Sequence, residues 1–298
     1  MLSRLLDDVS ETATGRMVAI RGRRQVGKSR LVEMFCEQAG TPAIYFQATR
    51  RRSAALEIEA FGALAARSLG PAGAVLAAAD FRTWDGVLAA VADAVNQPTI
   101  VVIDELPWLI EQDPAVEGAL QTAWDRHLRR SPVLVILIGS DLAMMDALSE
   151  YGRPLYDRAR IMAVAPLAPS EAAALLPYSA PDVLDAYLVV GGFPNLVSAL
   201  ARARNLQSFL RAELADPTSP IIVAGERALA AEFPPDAHAR AVLDAIGAGQ
   251  REHKNIASAS GIGGASLERS LEILIDKQVV ARRTPYSTEP GGRRSRYH

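Results

Sequence analysis

At 298 residues, with 49% hydrophobic and 22% charged side chains, the chain has the make-up of a globular protein long enough for two or three domains, which excludes a largely disordered chain. A formal charge of −2 excludes a global attraction to nucleic acid or anionic lipid, so any such binding has to come from a local patch. The single cysteine, Cys36, excludes an intramolecular disulfide framework, fits a reducing cytoplasm, and reads as a small buried hydrophobe.

The opening MLSRLLDDVS carries two aspartates where a secretory signal needs an apolar core. The longest strongly apolar stretches, such as VLVILIG at 133–139, reach about a third of a bilayer-crossing length, so a soluble protein without a membrane partner is expected. The first half then alternates short β-branched runs with longer helical patterns, which predicts a parallel sheet with crossover helices. The strands are MVAIR (17–21), AIYF (43–46), TIVVID (99–104), VLVILIGS (133–140) and IMAVA (161–165). Several lack alternation, as strands covered on both faces should. Helices are expected near 28–39, 53–69, 82–96, 114–129 and 142–149. After PLAPSEA the strand signal fades, and to about 235 the chain reads as short Ala- and Leu-rich helices broken by YSAPD, GGFP and DPTSP. The last sixty or so residues read as three helices followed by a strand and a turn-rich PYSTEPGG, the order of a winged helix. The expected division is a core at 1–166, a helical lid at 167–235 and a winged helix at 236–298.

Gly22-Arg23-Arg24-Gln25-Val26-Gly27-Lys28-Ser29 matches G-x-x-x-x-G-K-[ST] between a strand and a helix. Glycines at 22 and 27 allow successive N–H groups to turn inward on phosphate oxygens, and the new helix adds its positive end. Lys28 is expected to reach the β- and γ-phosphates, and the Ser29 hydroxyl to take a magnesium position. Arg30 closes the segment assigned to nucleotide. Arg23 and Arg24 belong to it by position, although their side chains also suit solvent.

TIVVIDELPWL supplies the acids. An apolar strand ending in Asp104-Glu105 delivers two carboxylates to the sheet edge that also holds the phosphate loop. Asp104 is the partner for magnesium, and Glu105 can polarise a water for attack on the γ-phosphate. A glutamate so placed favours hydrolysis over transfer to an acceptor, while Trp108 and Leu109 read as packing residues. Ser140, ending VLVILIGS, suits a polar sensor of the γ-phosphate if its strand lies between the phosphate-loop strand and the Asp-Glu strand. The alternative for Gly139-Ser140 is ordinary turn chemistry.

Together these residues resemble the prokaryotic archaeal-type AAA+ ATPases grouped with the STAND P-loop NTPases. The likeness runs through RGRRQVGKSRLVEMF, VVIDELPWL, LIGS, RPLYDRAR, VVGGFPNLV and GRRSRYH. It implies an α/β fold with a five-stranded parallel sheet, a small helical lid and a winged helix, with ATP and Mg2+ as ligands. It also implies that Gly192-Phe193-Pro194 belongs to a lid element, with Pro194 touching the base side of the nucleotide. Members often show Leu-Tyr-Gly-Arg where this chain has Leu155-Tyr156-Asp157-Arg158, so Arg158 is a candidate sensor or finger for γ-phosphate charge, with a surface ion pair as the alternative. Members generally begin with an aromatic-Gly-Arg-Glu segment and continue past Arg-x-Tyr. This chain has neither, so a shortened member without nuclease activity is expected.

The implied function is an ATP-hydrolysing switch whose winged helix engages DNA or a protein partner. The face with Glu268, Arg269, Glu272, Asp276 and Lys277 is mixed in charge, whereas the wing carries Arg282, Arg283, Arg293, Arg294 and Arg296. A ring-forming AAA+ motor acting on nucleic acid would instead need an arginine for a neighbour's site, with Arg153, Arg158 and Arg160 as candidates. A nucleotide-bound scaffold without turnover conflicts with the intact Lys28, Ser29, Asp104 and Glu105.

Overall fold

The computed structural model describes residues 1–223, 225, 226, 233, 238–276, 279–283 and 296–298. They fall into two compact units, Met1–Leu206 and Gln207–His298.

The first unit runs α1 (Leu2–Thr12), β1 (Arg16–Arg21), α2 (Lys28–Ala39), β2 (Ala43–Gln47), α3 (Ala54–Ser68), a one-turn α4 (Ala74–Ala77), α5 (Trp84–Ala94) and β3 (Thr99–Asp104). It continues through α6 (Leu106–Gln112), α7 (Ala115–Arg126), β4 (Val133–Gly139), α8 (Leu142–Ala147) and β5 (Arg160–Ala163). The helices α9 (Pro169–Leu175), α10 (Ala180–Val190) and α11 (Pro194–Ala201) close this unit. The five strands form one parallel sheet in the order β2-β3-β4-β1-β5. β4 therefore lies between the phosphate-loop strand and the Asp-Glu strand, the condition set for Ser140.

The strands fold as they do because alternate residues serve opposite faces. Met17, Ala19, Val101 and Ile103 join the core beneath α3, α5 and α7, while Val18, Ile20, Ile100 and Val102 face the core beneath α1 and α2. Every residue of β3 and β4 is buried, which explains their unbroken apolar runs. β5 is an edge strand and is largely exposed. The opening segment, which lacks a signal core, is a helix whose Leu2, Leu5, Leu6 and Val9 form one stripe against the sheet. Its two aspartates, Asp7 and Asp8, stand clear of that stripe. Cys36 is packed at the edge of the same core, and burial pushes its thiol up to about 11. Leu109 is buried and Trp108 packs against the other core, as packing residues should.

The second unit has helices Ala239–Gly247, His253–Ser260 and Gly264–Asp276 and an antiparallel pair, β6 (Arg282–Arg283) with β7 (Arg296–Tyr297). Glu252 bridges Arg296, adding a third short segment to the pair. Val242, Ile256, Leu267, Leu271 and Tyr297 share one core. Helix α12 (Leu206–Ala215) begins at the division between units. Arg282, Arg283 and Arg296 are exposed, while Lys277, Arg293 and Arg294 lie outside the described residues. No helix among the described residues is long and apolar enough to cross a membrane.

Candidate functional site

The loop after β1 is shaped by contacts that admit little else. A Cβ on Gly22 would sit 2.3 Å from the Val164 carbonyl oxygen, so the backbone can pass only as glycine. Gln25 at φ 66° and Gly27 at φ 89° are both left-handed, and such turns let successive amides face one concavity. Val26 is buried and anchors the loop, while Arg23, Arg24 and Gln25 are exposed. Gly27 caps α2, leaving the first-turn amides of that helix, those of Lys28, Ser29 and Arg30, without helical acceptors. The Arg30 side chain runs along the outside of α2 to Glu33 and Glu37, so only its backbone belongs to the loop.

Lys28 is buried, and its ammonium donates to the carbonyls of Gly22 at 2.8 Å and Arg23 at 2.9 Å. Burial holds its pKa below the lysine range, and the fields of Glu105 and Asp104 oppose that shift. Both carboxylates therefore act on the phosphate-loop lysine.

Asp104 ends β3 and is 1% exposed. One of its oxygens accepts from the Glu105 amide at 2.9 Å, and the other accepts from the Tyr45 hydroxyl, also at 2.9 Å. The same hydroxyl lies 3.4 Å from the Ser29 carbonyl oxygen, so Tyr45 of β2 ties the acid strand to the phosphate-loop helix. Burial, then the charge of Asp104, pushes the Tyr45 phenol well above its ordinary range, so it stays a donor. Sequence reasoning missed Tyr45. The signal available was a hydroxyl on an apolar run predicted as a strand, although strand order was needed to set it beside Asp104.

Glu105 is a non-glycine residue at φ 57°, a conformation that costs roughly 1–2 kcal/mol. Both of its carboxylate oxygens lie within reach of the Ser140 hydroxyl, at 3.1 and 3.0 Å. Ser140 thus holds the glutamate directly. Gly139 is more than turn chemistry: a Cβ there would sit 2.4 Å from Met145 Sδ and 2.8 Å from Pro107 Cγ.

Pro194 is brought over the loop by a pinned turn. The Leu167 amide donates to the Gly192 carbonyl at 2.8 Å, the Tyr187 hydroxyl donates to the Leu167 carbonyl at 2.9 Å, and a Cβ on Gly192 would sit 2.0 Å from that carbonyl oxygen. The Pro194 ring then lies 3.7 Å from where a Cβ on Gly27 would be.

Arg158 is not among the residues brought together. It stands two residues before β5, at the N-terminal edge of the sheet, whereas Lys28 follows the C-terminal end of β1; six residues of strand put roughly 20 Å between those edges. Its guanidinium makes a two-pronged pair with Asp125, at 3.0 and 2.8 Å, which lowers the Asp125 pKa and raises that of Arg158. This corrects its assignment to the site of its own chain in favour of the ion pair. Asp157 takes φ 57°, the left-handed conformation that glycine adopts freely and aspartate tolerates, so the departure from Leu-Tyr-Gly-Arg leaves the turn intact.

A glycine-lined concavity with free helix-terminal amides, a buried lysine and a buried aspartate suits phosphate accompanied by a divalent cation. Among the described residues no three His, Cys, Asp or Glu side chains cluster as a metal cage.

Residues 3–200 match the model of an ATPase domain found predominantly in Archaea. An uncharacterised protein of Methanocaldococcus jannaschii is 24% identical over 211 residues, 67% of this chain and 46% of that protein, so the match spans about half of the relative's length. Among solved structures, a Walker-type ATPase of Pyrococcus abyssi superposes with a TM-score of 0.63 at 19% identity, covering 99% of this chain and 91% of the other. The ORC2 protein of Aeropyrum pernix, solved in ADPNP and ADP complexes, gives 0.64 at 14% identity, covering 99% and 87%. At these identities the likeness is one of fold.

Proposed function

The chain belongs to the family of ATPase domains found predominantly in Archaea, and from that premise we propose that it is an ATP-hydrolysing molecular switch using Mg2+. The observation that carries this reading is the joining of Lys28, Ser29, Asp104 and Glu105 at one sheet edge through Tyr45 and Ser140.

Each residue has a distinct task. The amides from Gly22 to Ser29 bind phosphate oxygens, and Lys28 exchanges its two carbonyl partners for the β- and γ-phosphates. Magnesium, when bound, neutralises phosphate charge, with the Ser29 hydroxyl and Asp104 as its protein partners. Tyr45 fixes one oxygen of Asp104 and leaves its position determined before the ligand arrives. Glu105 orients the attacking water and takes its proton. Ser140 holds Glu105 without nucleotide; as a γ-phosphate sensor it would turn its hydroxyl to the phosphate and release the glutamate to the water. Pro194, on the lid side of Gly27, supplies the base-side contact.

In this reading 1–166 is the ATPase core, 167–235 the lid and 236–298 a winged helix that engages DNA or a protein partner in the cytoplasm. The order of three helices, paired strands and the Glu252 bridge supports the winged helix. Exposed Arg282, Arg283 and Arg296 support a DNA contact, and His253 pairing with Glu268 leaves the helical face mixed. A ring-forming motor is the second reading, favoured by the place of Arg158 and exposed Arg160 at the edge away from the chain's own site.

Phosphate release from Mg-ATP by the full chain tests the proposal. Turnover is expected in the wild type, with loss of nucleotide binding in Lys28→Ala. Calorimetry that detects no heat with Mg-ATP would sink it.

A further inference from the structure

Because the chain is slightly acidic overall, any attraction to nucleic acid must be local, and one such locality lies away from the phosphate loop. At the N-terminal edge of the sheet a cleft of about 380 Å³ opens between the start of β1, the end of α7 and the turn before β5. Arg16, Arg129, Arg158 and Arg160 line it, against Asp125 and Asp157.

The four arginines are not equivalent. Arg158 is balanced by Asp125, and Arg16 is balanced by Asp8 at 2.5 Å while also donating to the Gly15 carbonyl at 3.0 Å. Arg129 and Arg160 are exposed, and neither guanidinium group is hydrogen-bonded or ion-paired among the described residues, although Arg129 lies within the field of Asp125. Next to them stands an aromatic pair. Tyr156 lines the cleft at 42% exposure, and its ring meets that of Tyr151, 91% exposed, edge-on at 5.6 Å.

Guanidinium groups with open hydrogen-bond donors select phosphate, and exposed aromatic faces beside them select a planar base. We infer that this cleft binds a nucleotide phosphate at Arg129 and Arg160, with its base against Tyr156, presented by a free nucleotide or by a single strand of nucleic acid. The inference is independent of the ATP site, which occupies the opposite edge. Asp157 works against a highly charged ligand, so binding is expected to be weak and salt-sensitive.

The test is fluorescence anisotropy of the full chain with a fluorescein-labelled oligo(dT), titrated upward from about 50 mM salt. Wild type and Lys28→Ala are expected to bind alike. Arg129→Glu/Arg160→Glu should weaken binding about tenfold or more and reduce the slope of log affinity against log salt by about 1.4, the value for two phosphate contacts on a single strand. Arg129→Gln should give about half that change in slope, and Tyr156→Ala should weaken binding while leaving the slope alone. Displacement by thymidine monophosphate would identify a free-nucleotide site, and competition by unlabelled oligo(dT) alone a strand site. The inference is overturned by no binding, by full binding in the double variant, or by an equal loss in Arg4→Glu/Arg67→Glu, which reverses exposed arginines on α1 and α3. It is also overturned if the double variant loses only an Mg-ATP-dependent self-association, because the arginines would then serve a neighbouring copy. Loss of hydrolysis with oligonucleotide binding intact would count against the ATPase reading and leave this one standing.

Discussion

The two edges of the sheet both gather ionisable side chains; Arg21 pairs with Asp146 at the C-terminal edge, but the candidate site residues there are held differently from the arginines of the N-terminal edge. At the C-terminal edge Lys28 rests on backbone carbonyls, Asp104 on a phenol and an amide, and Glu105 on a serine hydroxyl. At the N-terminal edge Arg158 is held by Asp125 and Arg16 by Asp8. A charge held by a neutral dipole keeps its charge for an incoming ligand, whereas a charge held by its opposite is already answered. The first edge is arranged to meet a polyphosphate and its cation. The second offers Arg129 and Arg160, which lack hydrogen-bonded partners among the described residues.

Glu105→Gln should break the comparison most severely. Turnover is expected to fall roughly 10²–10⁴-fold, the range for loss of a general base, with Mg-ATP binding preserved in equilibrium titration. Unchanged turnover would remove the glutamate from the chemistry. Tyr45→Phe deletes only the hydroxyl on Asp104, a charge-assisted hydrogen bond of about 1.5–3 kcal/mol. Its expected signature is a tenfold or so higher magnesium requirement with near-normal turnover at saturation, since it acts by placing Asp104. A purely structural tyrosine would lower the melting temperature and leave the magnesium dependence alone.

Ser140→Ala should have a smaller effect, about fivefold on turnover, because a hydrogen bond of about 1 kcal/mol orients Glu105 without supplying its base. The smallest effect belongs to the other edge. Asp125→Asn should cost no more than about 1 kcal/mol of stability, since Asp125 is 41% exposed and solvent screens the pair. Arg158 keeps the folded Asp125 carboxyl below its ordinary range, so its contribution is present at pH 7 and disappears as pH falls through that lowered value. Thermal melts of wild type and variant should therefore differ at neutral pH and converge in acid, with turnover unaffected throughout.

Much of the site was legible because its residues are local in the chain. Gly22 to Ser29 form one turn between a strand and a helix, and Asp104-Glu105 end one strand, so motif and periodicity place each group at a sheet edge. What joins the two segments comes from elsewhere. Tyr45 reaches Asp104 from β2, and Ser140 reaches Glu105 from β4, contacts separated by 59 and 35 residues. Arg158 went the other way, since resemblance of its turn to Leu-Tyr-Gly-Arg says nothing about which edge of the sheet a pre-strand turn occupies.

The amino-acid sequence by itself determined the strands, the phosphate loop and the acids, because each rests on periodicities and backbone permissions that act over a few neighbouring residues. Only the tertiary structure decided strand order, and with it the partners of Asp104 and Glu105 and the removal of Arg158 to the far edge. The reason is physical: a side chain's partner is set by which strands lie side by side, and that is chosen by burying both faces of the whole sheet together.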